Sequence, residues 1–197
     1  MATIEMCYYC FETLEKHFDE KTKINSKRFF ENKSYPIFVT LDLEKDNKKY
    51  LRGCIGTFKA DKLYDLIPEI TMKSAFYDTR FKPLEKNELK DLACEVSLLV
   101  DFEDANDIYD WELGINGIII NFKSPITGME TSATYLPEVA PDNNWDKKQT
   151  LINLIRKAGY YGGDFDNVIK SIKLKRYKTS KYYCNYKQYK KWKTDNQ

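Results

Sequence analysis

The segment Arg52-Gly53-Cys54-Ile55-Gly56 contains the residue types of this sequence that are best suited to chemistry. A cysteine thiolate is a nucleophile and a metal ligand, and a nearby positive charge such as that of Arg52 favours it. Glycines inside a strand mark a bulge or a close approach of another group to the backbone. Unpaired amides at such a bulge, beside a guanidinium, suit a carboxylate or a phosphate. The segment therefore predicts a small anionic ligand held by Arg52 and by the backbone at Gly53 and Gly56, with Cys54 as the candidate catalytic residue.

The same segment also has a purely structural interpretation. Cys54 can be a small buried hydrophobe, because free cysteines are among the most buried residues. The two glycines then serve only to admit a neighbouring side chain. A reactive, accessible Cys54 would favour an enzyme, and a buried, inert one would favour a non-catalytic module that binds a peptide or a partner protein.

Glu95 and Ser97 lie two residues apart in a stretch whose alternating apolar positions predict a strand. Residues two apart point to the same face of a strand. If that face lines the predicted site, a carboxylate and a hydroxyl are directed toward Cys54, and Glu95 becomes a second candidate catalytic residue. If it faces solvent, the two residues are an ordinary polar edge.

The other thiols and the single histidine do not assemble into a metal site. Cys7 and Cys10 form a C-x-x-C pair and His17 follows seven residues later, but a structural zinc site needs a fourth ligand. Both cysteines also coincide with the apolar stripe of a predicted helix, which favours core packing. We therefore predict no metal and no cofactor, and one histidine excludes any mechanism that needs two imidazoles.

A basic and aromatic stretch occupies the carboxy-terminal part of the chain. Residues 167–194 contain many lysines and tyrosines and no acid, although the net charge of the whole chain is only +2. Such a mixture suits phosphates and unstacked bases, and a solvated strand face explains it equally well. Nucleic-acid binding is not favoured, because no RNP, KH or zinc-knuckle pattern accompanies the stretch.

Hydrophobic periodicity assigns the elements that must position these residues. The predicted helices cover 3–20, 67–79 with Pro68 in the first turn, 83–91, and a segment from the capping box Asp146–Gln149 to Gly159. The predicted strands cover 34–43, 50–58, 94–100, 129–136, 171–178 and 182–186, and Asn116-Gly117 predicts a hairpin. The first two strands form an antiparallel hairpin. Because the helices do not alternate with the strands in βαβ order, the predicted fold class is α+β, an antiparallel hairpin-rich sheet flanked by helices.

The length and composition limit the class of protein. A chain of 197 residues has the size of one domain. It contains no apolar run long enough to span a membrane, and its first residues do not resemble a secretory signal. Five cysteines without the spacing of a disulfide framework indicate reduced thiols. These features predict a cytoplasmic or nuclear protein with no membrane partner.

The segment 52–58, Arg-Gly-Cys-Ile-Gly-Thr-Phe, resembles the signature of the AMMECR domain family. Further segments resemble the family in order and with few gaps over about residues 4–186. They are 35–40, 78–84, 96–99, 102–105, 110–112, 114–118, 133–140, 145–146, 156–159 and 173–177.

The resemblance implies an architecture and a set of residues, but no particular reaction. The family's fold is α+β, with a larger and a smaller lobe and a cleft between them near which its shared residues gather. The domain would cover 1–186 and leave 187–197 as a basic tail or short terminal helix. The matching residues are Arg52, Gly53, Cys54, Gly56, Arg80, Glu95, Ser97, Gly117, Pro137 and Lys157. Some relatives have serine in place of Glu95. Arg80 and Ser97 thereby join the candidate ligand-binding residues.

Prokaryotic relatives in the family tend to occur beside, or fused with, a Memo-like protein and a radical S-adenosylmethionine enzyme. The resemblance therefore implies a link to such partners in a shared pathway. Whether the domain is an enzyme or an interaction module stays open at this point.

Overall fold

The computed structural model describes residues 1–196. The helices are α1 (Ile4–Phe18), α2 (Leu63–Phe76), α3 (Val139–Asp142), α4 (Lys147–Lys157), α5 (Phe165–Ser171) and α6 (Tyr186–Asp195). The strands are β1 (Ser34–Lys45), β2 (Lys48–Lys62), β3 (Leu92–Asp104), β4 (Gly117–Lys123), β5 (Glu130–Tyr135) and β6 (Lys173–Asn185). Short 3₁₀ helices cover Ser26–Phe29 and Lys86–Asp91. The strands form one sheet in the order β2-β1-β3-β6-β4-β5. The predicted α+β class is confirmed.

The chain divides into two compact units. Unit 1 contains Met1–Leu99 and the segment from Ser180 onward, and unit 2 contains Val100–Thr179. In unit 1, α2 packs against α1, β1 and β2. Unit 2 has its own core, formed by Trp111, Ile118, Ile120, Phe122, Leu151, Leu154, Ile155, Tyr160, Val168, Ile169 and Leu174.

The hairpin of β1 and β2 is confirmed, and it contains a bulge at the predicted motif. Leu41 lies opposite Gly53, but the next residue, Asp42, lies opposite Leu51. Arg52 is therefore the extra residue on β2. A bulge of this kind increases the local twist and redirects a side chain.

Helix α2 begins earlier than predicted, at Leu63, so Pro68 lies inside it rather than in its first turn. A proline in a helix has no N–H for the carbonyl group four residues earlier, which here belongs to Tyr64. The hydroxyl of Tyr9 on α1 donates to that carbonyl oxygen at 2.8 Å. The orphaned acceptor is thus satisfied by the neighbouring helix, which explains why Pro68 is tolerated.

A buried carboxylate joins the first helix to the last within unit 1. Glu15 accepts hydrogen bonds from the hydroxyls of Tyr186 and Tyr189, at 2.5 and 2.7 Å, and from the ammonium of Lys193 at 2.5 Å. Burial alone would raise the pKa of Glu15, but these hydrogen bonds outweigh it and lower the pKa to about 2. Residues 186–195 thus form a packed helix, and Tyr189 is fully buried.

One of the predicted elements is wrong, and two others are parts of a single strand. Asn116-Gly117 does not turn a hairpin, since β4 begins at Gly117 and the preceding residues form turns. A Cβ at Gly117 would lie 2.3 Å from the ring of Tyr177, so this glycine provides space rather than a turn. The two predicted late strands are one continuous strand, β6. The helices α3 and α5 were not predicted.

Candidate functional site

Four side chains of different chemistry form one row across the sheet of unit 1. Cys54 of β2 lies opposite Thr40 of β1, and Thr40 lies opposite Glu95 of β3. Residues directly opposite each other on neighbouring strands share a face of the sheet. Lys181 of β6 completes the row, because its ammonium lies 3.3 Å from a carboxylate oxygen of Glu95. We call Cys54, Thr40, Glu95 and Lys181 the polar row.

Neighbouring groups in the polar row are within contact distance at both ends. The sulfur of Cys54 lies 3.2 Å from the hydroxyl oxygen of Thr40. The hydroxyl of Ser97 donates to Glu95 at 3.2 Å. The side chains of Glu95 and Lys181 are 29% and 33% exposed. The row therefore places a thiol, a hydroxyl, a carboxylate and an ammonium in partly buried positions that a small molecule can still reach.

Asp42 adds a second carboxylate to this face of the sheet. It follows Thr40 by two residues on β1 and lies opposite Ala93, which precedes Glu95 by two residues on β3. Burial raises the pKa of Asp42; Lys49 opposes this effect, and the negative charge of Glu95 adds to it. A carboxyl group with a raised pKa beside another carboxylate is suited to hold a proton.

Gly56 and Ser97 belong to the adjacent row of the same face, on either side of Phe38. A Cβ at Gly56 would lie 2.2 Å from the ring of Phe38. The glycine thus admits the phenyl ring of a neighbouring strand. Ser97 is 5% exposed, and its hydroxyl supports the carboxylate of Glu95.

Gly53 belongs to the opposite face, which packs on α2. A Cβ at this position would lie 2.0 Å from the carbonyl oxygen of Ser74. The hydroxyl of Ser74 accepts from the amide of Ile55 at 3.0 Å and donates to the carbonyl of Val39 at 2.9 Å. The group that approaches the backbone closely at Gly53, as the sequence predicted, is therefore the backbone of helix α2.

Two amides of the motif, those of Cys54 and Ile55, have side-chain hydrogen-bond partners within unit 1. The amide of Cys54 donates to the carboxylate of Asp78 at 2.9 Å. The guanidinium of Arg80 donates to the Cys54 carbonyl at 3.2 Å and to Asp78 at 2.7 Å. Asp78 and Arg80 thus replace a neighbouring strand at this position of the sheet edge. Hydrogen bonds from Arg80 hold the pKa of Asp78 far below its usual range.

Arg52 is engaged by the loop and 3₁₀ helix that follow α2. Its guanidinium binds both carboxylate oxygens of Glu88, at 2.9 and 3.0 Å, and the carbonyls of Lys82 and Pro83. The Arg52 side chain is 11% exposed, whereas that of Arg80 is 57% exposed. Of the two predicted arginines, Arg80 is therefore the one whose charge is accessible beside Cys54.

The remaining cysteines are buried. Cys7, Cys10, Cys94 and Cys184 are each 0% exposed, while Cys54 is only half-buried, and all five are free thiols. Hydrogen bonding to Cys10 and Cys7, together with burial, raises the pKa of Cys94. The C-x-x-C pair therefore belongs to the core of unit 1. Within residues 1–196, no group of three or more possible ligands could hold a metal ion.

The basic stretch does not form an open cationic surface along β6. Lys175 and Lys178 pair with Asp104 and Asp101 of β3, and Arg176 pairs with Glu103 and Asp110. Lys175, Arg176 and Lys178 are therefore balanced by acids of unit 2, and Lys181 pairs with Glu95 of unit 1. No helix in the described part of the chain is long and apolar enough to cross a membrane.

Sequence reasoning placed Glu95 and Ser97 on one face but missed four further residues of the site. Thr40 and Asp78 lie in the segments 35–40 and 78–84 that resemble the family, and Lys181 lies in the basic stretch, but no local pattern marks any of the four as part of a site. Pairing across the sheet brings Lys181 to Glu95, which precedes it by 86 positions. Only a predicted strand order could have found it.

Comparisons with known proteins agree with this fold and motif. A family model described as AMMECR1 matches residues 7–182. An uncharacterised protein of Schizosaccharomyces pombe is 44% identical over 191 residues, covering 94% of each chain. An uncharacterised protein of Arabidopsis thaliana is 41% identical over 189 residues, covering 95% of this chain and 87% of the relative.

The fold also matches a solved structure. The crystal structure of an uncharacterised protein from Pyrococcus horikoshii superposes with a TM-score of 0.69 at 22% identity, covering 90% of this chain and 89% of that one. This likeness shows the fold alone. The family match over most of the chain and the two relatives above 40% identity confirm the resemblance seen in the motif: the chain belongs to the AMMECR1 family.

Proposed function

We propose that the polar row binds a small carbonyl-bearing or anionic molecule inside the cell. Where the molecule has a carbonyl group, the sulfur of Cys54 adds to the carbonyl carbon, the C=O π bond opens, and the thiol proton ends on the former carbonyl oxygen. The observation that carries this proposal is the alignment of thiol, hydroxyl, carboxylate and ammonium on one face of neighbouring strands. The interior of a sheet face usually favours apolar side chains, because burying polar groups costs free energy. Four partly buried polar groups of complementary chemistry are therefore best explained by a ligand.

Each residue has a role that its position allows. Thr40 lies between Cys54 and Glu95, and its hydroxyl contacts the sulfur of Cys54 at 3.2 Å, so it can orient the thiol. Lys181 and the exposed guanidinium of Arg80 supply positive charge at the two ends of the row. Neighbouring strands lie about 4.8 Å apart, so a ligand that reaches from Cys54 to Glu95 spans about 10 Å. Arg52 positions the loop rather than the ligand.

The test compares ligands that co-purify with the full-length protein and with three variants, Cys54→Ser, Lys181→Met and Glu95→Gln. Extracted small molecules and covalent adducts on the Cys54 peptide are measured by mass spectrometry. Lys178→Met is the matched control, because it removes a lysine of the same strand that pairs with Asp101 instead. We expect a molecule or adduct in the wild type and the control that is lost with Lys181→Met and Cys54→Ser. Identical profiles for all five proteins would contradict the proposal.

A second candidate function, a non-catalytic module for peptides, is favoured by one observation. β2 is a long terminal strand of the sheet, and Tyr50, Leu51 and Phe58 on it are 38–50% exposed. A partner strand could add through backbone hydrogen bonds to the part of this edge that Asp78 and Arg80 do not cover. Replacing the exposed Leu51 by glutamate would put a charge on this apolar edge and should abolish capture of a peptide partner, while co-purifying small molecules would be unaffected.

A further inference from the structure

A separate cavity of about 720 Å³ lies in unit 1 between α1, the segment that follows it, and the middle of α2. Its lining includes Tyr9, Lys16, His17, Lys27, Pro68 and Met72. It shares no residue with the polar row. The volume is within the range of cavities that hold small organic molecules.

The apolar part of the cavity is held in a fixed geometry. Because Pro68 leaves the carbonyl of Tyr64 without a helical partner, the hydroxyl of Tyr9 is bound there at 2.8 Å. This bond fixes the orientation of the Tyr9 ring. Met72 lies one helical turn after Pro68, so their side chains share one face of α2. Pro68 and Met72 are partly exposed and offer most of the surface for a flat apolar group, whereas Tyr9 is 3% exposed and contributes only an edge of its ring.

The polar part of the cavity is predominantly cationic. Lys16, His17 and Lys27 contribute basic groups, against the single carboxylate of Glu20. The ammonium of Lys27 lies 5.1 Å from the ring centre of Tyr9 and 5.2 Å from that of Tyr64. Among residues 1–196, neither Lys16 nor Lys27 has a carboxylate within ion-pair distance. Two cations without acidic partners beside an apolar wall complement an anion that carries a ring.

We infer that this cavity is a second ligand site, specific for small aromatic anions, in which Lys27 and Lys16 hold the acidic group and Tyr9, Pro68 and Met72 contact the ring. The inference is independent of the polar row. It identifies the ligand by its chemistry: one planar apolar group and one carboxylate, sulfonate or phosphate.

The experiment titrates the full-length protein with 8-anilinonaphthalene-1-sulfonate, which has this chemistry and becomes fluorescent when bound. We expect saturable binding at one site. Lys27→Met keeps the length of the side chain and removes the charge, and it should weaken binding roughly tenfold, as expected for one charge-assisted contact. Met72→Glu places a carboxylate against the ring and should weaken binding by a comparable or larger factor.

Three controls separate the cavity from other surfaces. Lys23→Met removes an exposed lysine of the same segment that does not line the cavity, and it should leave the affinity unchanged. Lys181→Met should also have no effect, because it lies in the polar row. Neutral N-phenyl-1-naphthylamine should bind wild type and Lys27→Met equally. Non-saturable binding, or equal affinities of Lys27→Met and Lys23→Met for the sulfonate, would overturn the inference. Loss of binding with Lys181→Met would assign the dye to the polar row and would also overturn it.

Discussion

The edge of β2 and the polar row are built from neighbouring residues but differ in what their side chains contact. At the edge, every contact lies inside unit 1. Arg52 binds the carboxylate of Glu88 and the carbonyl of Lys82, Gly53 packs against the backbone of α2, and Asp78 accepts a hydrogen bond from the amide of Cys54. In the polar row, Cys54 and Glu95 are half-buried on a face that a ligand can reach. The alternation of strand residues produces this division, since consecutive side chains point to opposite faces. One short motif therefore contains a structural part and, in the function that we propose, a chemical part.

The strongest test of this division compares two glycine variants. Gly53→Ala places a Cβ 2.0 Å from a backbone oxygen of α2, so we expect a loss of more than about 3 kcal/mol in the free energy of unfolding. Gly56→Ala meets the ring of Phe38, which can move, and should cost less. Gly163→Ala has no neighbour within 4 Å and serves as the control. Urea unfolding measures all three, and equal midpoints for Gly53→Ala and Gly163→Ala would refute the structural assignment.

Arg52→Met should lower the free energy of unfolding by about 2–3 kcal/mol, because it removes charge-assisted hydrogen bonds to Glu88 and to two carbonyls. The same variant should retain alkylation of Cys54 at the wild-type rate in the folded state. If Arg52→Met has the same urea midpoint as the wild type but no longer binds a ligand of the polar row, Arg52 contacts the ligand and does not stabilise the fold.

Asp78→Asn should destabilise the protein by about 2 kcal/mol at neutral pH, since the amide of Cys54 and the guanidinium of Arg80 lose their charged acceptor. The folded-state pKa of Asp78 is lowered, so its contribution is present above the unfolded pKa, about 3.9, and is lost as the pH falls below it. The wild type should therefore lose stability between about pH 4 and pH 2 more steeply than Asp78→Asn. Parallel stability curves against pH would count against this role.

Asp42→Asn should change the free energy of unfolding in the opposite direction to Asp78→Asn and by a smaller amount. Because the pKa of Asp42 is raised in the folded state, its charge opposes folding, and stability is lost as the pH rises through the folded pKa. We expect Asp42→Asn to be neutral or to stabilise the protein by up to about 1 kcal/mol at pH 7. Thermal unfolding of the variant at pH 5 and pH 7 measures this effect. A destabilisation comparable to that of Asp78→Asn would place Asp42 among the structural residues.

Cys54→Ser should have the smallest effect on stability, below about 1 kcal/mol, because the side chain is only half-buried and serine keeps a hydrogen-bonding group beside Thr40. Its effect on reactivity should be large. Iodoacetamide should modify Cys54 before the four buried thiols, and burial raises the pKa of Cys184 to about 12, which makes it slow. Peptide mass mapping over time resolves the five sites. Faster modification of any buried cysteine would contradict the proposed nucleophile.

The sequence predicted the elements whose periodicity is local. The apolar stripe of α1, the alternation in β1 and β2, and the capping box at Asp146 each reflect contacts within a few residues, and all were correct. The hairpin predicted at Asn116-Gly117 was wrong because Gly117 makes room for the ring of Tyr177, which is distant in sequence, and does not form a turn. The same distinction holds for the site. Glu95 and Ser97 were placed on one face by strand alternation, but Lys181 and Thr40 reach them only through the strand order.

The division of the chain into units has a consequence for synthesis. Unit 2 is one continuous segment, Val100–Thr179, and its core residues all lie within it, so it can fold as soon as the segment has left the ribosome. Unit 1 needs residues from both sides of that segment. Glu15 receives its hydrogen bonds only when α6 has been made, and until then a buried acid and the apolar face of α1 lack their covering helix. The interrupted unit is therefore the one that depends on protection during translation, although most of its residues are made first.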